Sequence, residues 1–153
     1  MQSFPPTFVL RHQRENLKKC SLRGLESRAD FKFYQYPRAI LPPLDHYITL
    51  ALDAPPLTNR DGEFGLFIVD STWRYADKML KFAEKQGRLN KRSIPAHFRT
   101  AYPRRQEDCP DPSRGLASIE AVYIAYKLLG RDASDLLNNY YWKDLFISMN
   151  NWD

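Results

Sequence analysis

The spacing of apolar and polar positions predicts a chain in which short strands and helices take turns. Residues 7–10 form a β-type run, after which the chain turns polar and basic through Lys19. Residues 20–28 read as a short helix with Ser21 as its N-cap. Residues 31–36 (FKFYQY) alternate aromatic and polar side chains, as a strand does. Residues 47–52 give a second β-type run, and Thr58 reads as the cap of a short turn through Asp61. GLFIV at 65–69 is apolar without interruption, the pattern of a strand buried on both faces of a parallel sheet.

A helix over 72–86 follows, with Trp73, Ala76, Leu80 and Ala83 recurring at helical spacing and Gly87 as its stop. Residues 88–105 are basic and broken by Pro95 and Pro103, and 106–115 form a polar loop. Ser118 reads as the N-cap of a helix over 119–129, ended by Gly130. Asp132 reads as the cap of a last helix to about Ser148, striped by Leu136, Leu137, Tyr140, Tyr141, Leu145 and Met149. This alternation predicts an α/β domain with a substantially parallel sheet, in which residues 1–60 form a small N-terminal α/β lobe.

Composition changes the picture in one direction. The 153 residues are 43% hydrophobic and 27% charged, so the chain can bury a core and is not of disordered composition. A net charge of +5 favours an acidic partner such as RNA, DNA or an anionic surface. Cys20 and Cys109, with three scattered histidines, give no metal-ligand spacing, and no metal is expected. No secretory leader or membrane-length apolar run is read, so a cytoplasmic protein is expected. No Rossmann fingerprint, P-loop, HExxH or GxSxG occurs, so a nucleotide cofactor would need another mode of binding.

Four segments carry candidate chemistry. In VDSTWRYADKML (69–80), Asp70 ends a buried strand, where ligands of open α/β sheets bind. On the residues alone, a helix cap and a core tryptophan are the more ordinary explanations of Asp70 and Trp73. In GLASIEAVYIAYKLLG (115–130), Ser118 and Glu120 open a helix, which on its own requires nothing more. Lys18, Lys19 and Arg23 form a compact basic patch suited to a carboxylate or phosphate, or simply a solvated loop. Arg88, Lys91, Arg92, Arg99, Arg104 and Arg105 interleave with Phe98 and Tyr102, a mixture that suits looped RNA.

In order and together, these segments resemble a known family. DSTW at 70–73 followed by Ala76, Ile94-Pro95, LASIEA at 116–121 and KKCS at 18–21 are similar to the motifs of the ribosomal RNA aminocarboxypropyltransferases. The related bacterial DTW-domain tRNA enzymes share the middle and last elements but carry an N-terminal cysteine cluster that is missing here. Leu22 stands where the ribosomal branch carries glycine, and residues 101–115 depart from that branch's usual sequence.

The resemblance implies a SPOUT-like fold with a C-terminal trefoil knot, residues 61–153 forming the knotted S-adenosylmethionine (SAM) region. It implies that Trp73 and Ala76 wall in the SAM methyl group and that Ser21 lies near its carboxylate. Leu52, Ile94 and Leu116 would border the adenosine, Ser118 would belong to the second cofactor loop, and Asp70 would sit at the reacting end as candidate base. RNA phosphates would meet Lys18, Lys19, Arg23, Arg92, Arg99, Arg104 and Arg105. The implied reaction moves the 3-amino-3-carboxypropyl (acp) group onto a uridine nitrogen and releases 5′-methylthioadenosine. The implied partner is ribosomal RNA in a small-subunit precursor, or tRNA, with the protein a monomer. A SPOUT-type RNA methyltransferase and a non-catalytic RNA-binding protein are the alternatives.

Overall fold

The computed structural model describes residues 4–13, 21–70, 73–102 and 116–152, without the side chains of Trp73 and Arg74. Five strands, β1 (Thr7–His12), β2 (Phe31–Tyr36), β3 (Tyr47–Leu50), β4 (Gly65–Asp70) and β5 (Asn90–Arg92), form one sheet in the order β2-β1-β4-β3-β5. Every described pairing is parallel. The helices are α1 (Trp73–Glu84), α2 (Ser118–Leu128) and α3 (Lys143–Met149). The sheet therefore joins strands from residues 1–60 with strands from residues 61–153.

Strand periodicity sends alternate side chains to two cores. Val9, Phe31, Ile48, Leu66 and Ile68 pack with α2 and with Leu136, Leu137 and Phe146. Phe8, Leu10, Tyr47 and Phe67 pack on the other side with Met79 and Ala83 of α1 and with Leu41 and Leu44. Both faces are covered, which is why β1 and β4 read as continuous apolar runs.

The connection after β1 leads outward to β2, whereas the one after β4 passes through α1 to β5 on the other side. The chain thus diverges between the carboxyl ends of β1 and β4. That crevice is the topological switch point at which open α/β sheets bind ligands.

Four expectations need correction. Residues 21–28 do not form a helix: Gly24 sits at φ 94° and only Leu25–Ser27 makes a 3-10 turn. The left-handed glycine breaks helical propagation, and Ser21 caps no helix there. The N-cap of α2 is Ala117, and Ser118 is its first helical residue. The last helix is short. Asp132 Oδ1 does accept from the Ser134 N–H, at 3.0 Å, but this closes a local turn rather than starting a helix. Successive i→i+3 bonds at Leu136, Tyr140 and Lys143 then bury Leu136, Leu137 and Tyr140 without a continuous helix. Tyr141 consequently lies 86% exposed, and Leu145 and Met149 are exposed as well. Finally, β5 lies inside what reads in sequence as a basic loop.

Candidate functional site

Arg11 and Asp70 are register partners at the carboxyl ends of β1 and β4, directly at the switch point. Strand alternation turns both toward α2, on the face shared by Val9 and Ile68. Asp70 is buried; its Oδ2 accepts from Arg11 Nε at 3.2 Å and its Oδ1 accepts from the Ser118 hydroxyl at 2.7 Å. Arg11 continues the chain of charges outward, with Nη1 donating to Glu26 Oε2 at 3.0 Å and the guanidinium 4.4 Å over the Phe33 ring. Burial pushes the Glu26 carboxyl upward. Bonding to backbone N–H groups, including that of Gly24, and to Arg11 outweighs this and holds it below its ordinary value.

The first turn of α2 is the point of convergence. Ser118 reaches Asp70, and the Ile119 N–H, one of the donors that a helix start leaves without an intrahelical acceptor, donates to Ser21 Oγ at 3.1 Å. Ser21 belongs to the segment after β1, Asp70 to the end of β4 and Ser118 to α2, so three stretches distant in sequence meet within hydrogen-bonding distance. Carboxylates are favoured near this helix start by the partial positive charge of its first amides.

Leu52 and Ile94 flank the same carboxyl edge. Leu52 is 59% exposed in the turn after β3, just before Asp53 at φ 56°. That turn is fastened to the end of β5 and the residue after it: Ala51 N–H donates to Arg92 O, and Ser93 N–H to Pro55 O. Ile94 and Leu116 both lie partly buried against the α2-side core. Ala76 is partly buried in α1; the Trp73 backbone opens that helix, but its side chain is outside the description.

The proposed RNA-contacting residues are not equivalent. Lys18, Lys19, Arg104 and Arg105 lie outside the described residues. Arg23 is exposed on the turn after Ser21, and Arg99 is exposed beyond β5. Arg92 is partly engaged, since its Nη1 donates to Lys91 O at 2.8 Å and its Nε lies 3.6 Å from Asp61. Lys91 pairs with Glu84.

Arg11 and Glu26 join the site without being among the residues that the motifs single out. The one signal in sequence is a basic residue closing an apolar run, which becomes meaningful only when β1 is set beside β4.

The fold is shared with a solved structure. The structure of the SAM-dependent rRNA:acp-transferase Tsr3 from Vulcanisaeta distributa is similar with a TM-score of 0.71, over 97% of this chain and 80% of that one, at 24% identity. No protein-family model matches the chain, and no curated protein does.

Proposed function

We propose that this protein is a SAM-dependent enzyme that transfers the 3-amino-3-carboxypropyl group to RNA. The reading is carried by one observation: Asp70, Ser118 and Ser21, drawn from three separate motif segments, meet at the switch point of a sheet whose fold is that of an rRNA:acp-transferase. In its finer form the acceptor is a uridine base nitrogen of ribosomal RNA in a small-subunit precursor. The protein then acts as a cytoplasmic monomer with a SPOUT-like knotted region over 61–153 and an N-terminal lobe over 1–60. The strands of that lobe, β1, β2 and β3, lie in the same sheet as β4 and β5.

The residues present suit SAM. Leu52, Ile94 and Leu116 offer apolar surface for adenosine, and the turn after β3 leaves Leu52 open to it. The Ser21 hydroxyl, which accepts from the Ile119 N–H and can itself donate, sits beside the positive start of α2 and suits a carboxylate. Bound there, SAM supplies an electrophilic carbon next to a sulfonium, with methylthioadenosine as leaving group.

The chain contributes orientation. Three carbons flank a sulfonium, and the one that reacts is the one presented to the nucleophile. In this reading Trp73 and Ala76 cover the methyl carbon. Asp70 receives the proton from the base nitrogen by exchanging its bond with the Ser118 hydroxyl for one with the base N–H, while Arg11 keeps the carboxylate in place. Arg23, Arg92, Arg99, Arg104 and Arg105, with Lys18 and Lys19, meet RNA phosphates.

The test is incubation of the protein with total RNA and SAM labelled separately in its carboxyl and methyl carbons. Carboxyl label alone should enter RNA of ribosomal size, and Trp73→Ala should abolish incorporation by weakening SAM binding. Carboxyl label in tRNA would move the substrate assignment. Methyl label in RNA, or no SAM binding at all, would overturn the reading.

A further inference from the structure

Glu120 has no exposed surface, and the reading above gives it no role. Its carboxylate accepts four hydrogen bonds. Oε1 accepts from the Thr100 hydroxyl at 2.6 Å and the Ala117 N–H at 2.8 Å. Oε2 accepts from the Ala101 N–H at 2.8 Å and the Tyr140 hydroxyl at 2.9 Å. A carboxylate removed from water is tolerated only when donors replace its hydration, and here they do.

Closing the first turn of α2 accounts for the bond to Ala117 alone. The other three reach out of the helix. Two grip residues 100–101, and one grips Tyr140. That gripped segment is itself braced: the Arg99 N–H donates to Asn150 Oδ1 at 2.9 Å, Asn150 Nδ2 donates back to Arg99 O at 3.0 Å, and Phe98 stacks on Trp152. Glu120 therefore ties α2 to a fixed point.

Ser118, Ile119 and Glu120 are consecutive: the Ser118 and Glu120 side chains leave the helix on different sides, while the Ile119 N–H runs along the axis out of its open start. Ser118 meets Asp70, the Ile119 amide meets Ser21, and Glu120 meets 100–101. Fixing the azimuth of one fixes the other two. We propose that Glu120 is a positioning residue: its grip on 100–101 and Tyr140 sets the rotation of α2 and so holds the Ser118 hydroxyl on Asp70 and the Ile119 amide on Ser21. The consequence for SAM rests on the reading of that junction as the cofactor site.

Glu120→Gln retains the shape but puts an amide NH₂ opposite a backbone N–H of Ala101 or Ala117, neither of which can reverse its role. Tyr140→Phe removes one donor and leaves three. Each variant is compared with the wild type by amide hydrogen exchange and by calorimetric titration with SAM. In Glu120→Gln, exchange at Ile119 should quicken and SAM affinity should fall, each by roughly tenfold, with β1 and β4 amides unchanged. Tyr140→Phe should move both in the same direction by a smaller factor, and it carries the test if Glu120→Gln does not fold. Unchanged exchange at Ile119, acceleration shared equally by β1 and β4, or unchanged affinity despite faster exchange would overturn the proposal. If Ile119 exchange quickens but the wild type itself binds no SAM, the cofactor reading fails and the positioning of α2 stands.

Discussion

Replacing Asp70 with asparagine separates the charge at the switch point from its shape. The side chain is 5% exposed and that of Arg11 is 11% exposed, so the pair is shielded from water. In Asp70→Asn the amide oxygen can still accept from Ser118, but the amide nitrogen becomes a donor facing the Arg11 Nε–H. Removing one member of a buried pair costs about 3–5 kcal/mol when the other is stranded. Arg11 is not wholly stranded, because it keeps Glu26 and the face of Phe33. That residual support lowers the expected cost to about 2–3 kcal/mol. In a protein of this size the shift in Tm is roughly 5–10 °C.

The assay is urea unfolding of Asp70→Asn, Arg11→Met and the double variant, taken as a cycle. A coupling of about 1–3 kcal/mol is expected for residues in direct contact. Glu26→Gln is the comparison, because its carboxylate is 39% exposed, and the outer link should be worth less than about 1 kcal/mol. A coupling below about 0.5 kcal/mol between Asp70 and Arg11, with unchanged m-values, would refute the idea that this pair organises the carboxyl edge.

Two further outcomes follow from single residues. Gly24→Ala should destabilise by about 1–2 kcal/mol in urea unfolding, since φ is 94° and a Cβ would meet Asn139 Nδ2 at 2.5 Å; Gly87→Ala, with nothing near its Cβ, should be close to neutral. Burial, with the neighbouring Tyr34, pushes the Tyr47 hydroxyl up to about 12. The unfolded chain gives up that proton first, so this group's contribution to stability is intact below pH of about 10 and falls as pH rises toward 12. Absorbance titration at alkaline pH should lose a late tyrosinate step in Tyr47→Phe, and an unchanged titration would refute the assignment.

The fold was legible where burial imposes a pattern. Residues 31–36 mix aromatic and polar positions because β2 is an edge strand that is only partly covered: Phe31 and Phe33 pack on the α2 side, Tyr34 and Tyr36 on the α1 side, and Lys32 and Gln35 are exposed, whereas 65–69 run apolar because β4 is central and covered on both faces. The strand Asn90–Arg92 left no such trace. It lies at the other edge and pairs with β3 through backbone groups, so three polar residues serve as well as apolar ones. The stripe over 133–148 misled for the opposite reason: Leu136, Leu137 and Tyr140 are buried, but by successive tight turns, so helical spacing beyond them predicted burial for Tyr141 and Leu145 that does not occur.

The candidate site was legible in pieces and illegible as a junction. Asp70 at a strand end and Ser118 at a helix start are each satisfied, in sequence, by a capping role. The structure gives them to each other, and it gives the Ile119 amide to Ser21 in place of the helix expected around that serine. Arg11 stayed hidden because a basic residue opening a basic stretch reads as solvated. Only the parallel register of β1 with β4 sets it opposite Asp70 and turns it inward. What local pattern cannot convey is that consecutive residues of one helical turn serve different partners. Sequence groups Ser118, Ile119 and Glu120 as one motif, whereas the fold sends the Ser118 and Glu120 side chains to different sides of the helix and the Ile119 amide along its axis, and so fastens three distant segments at one turn.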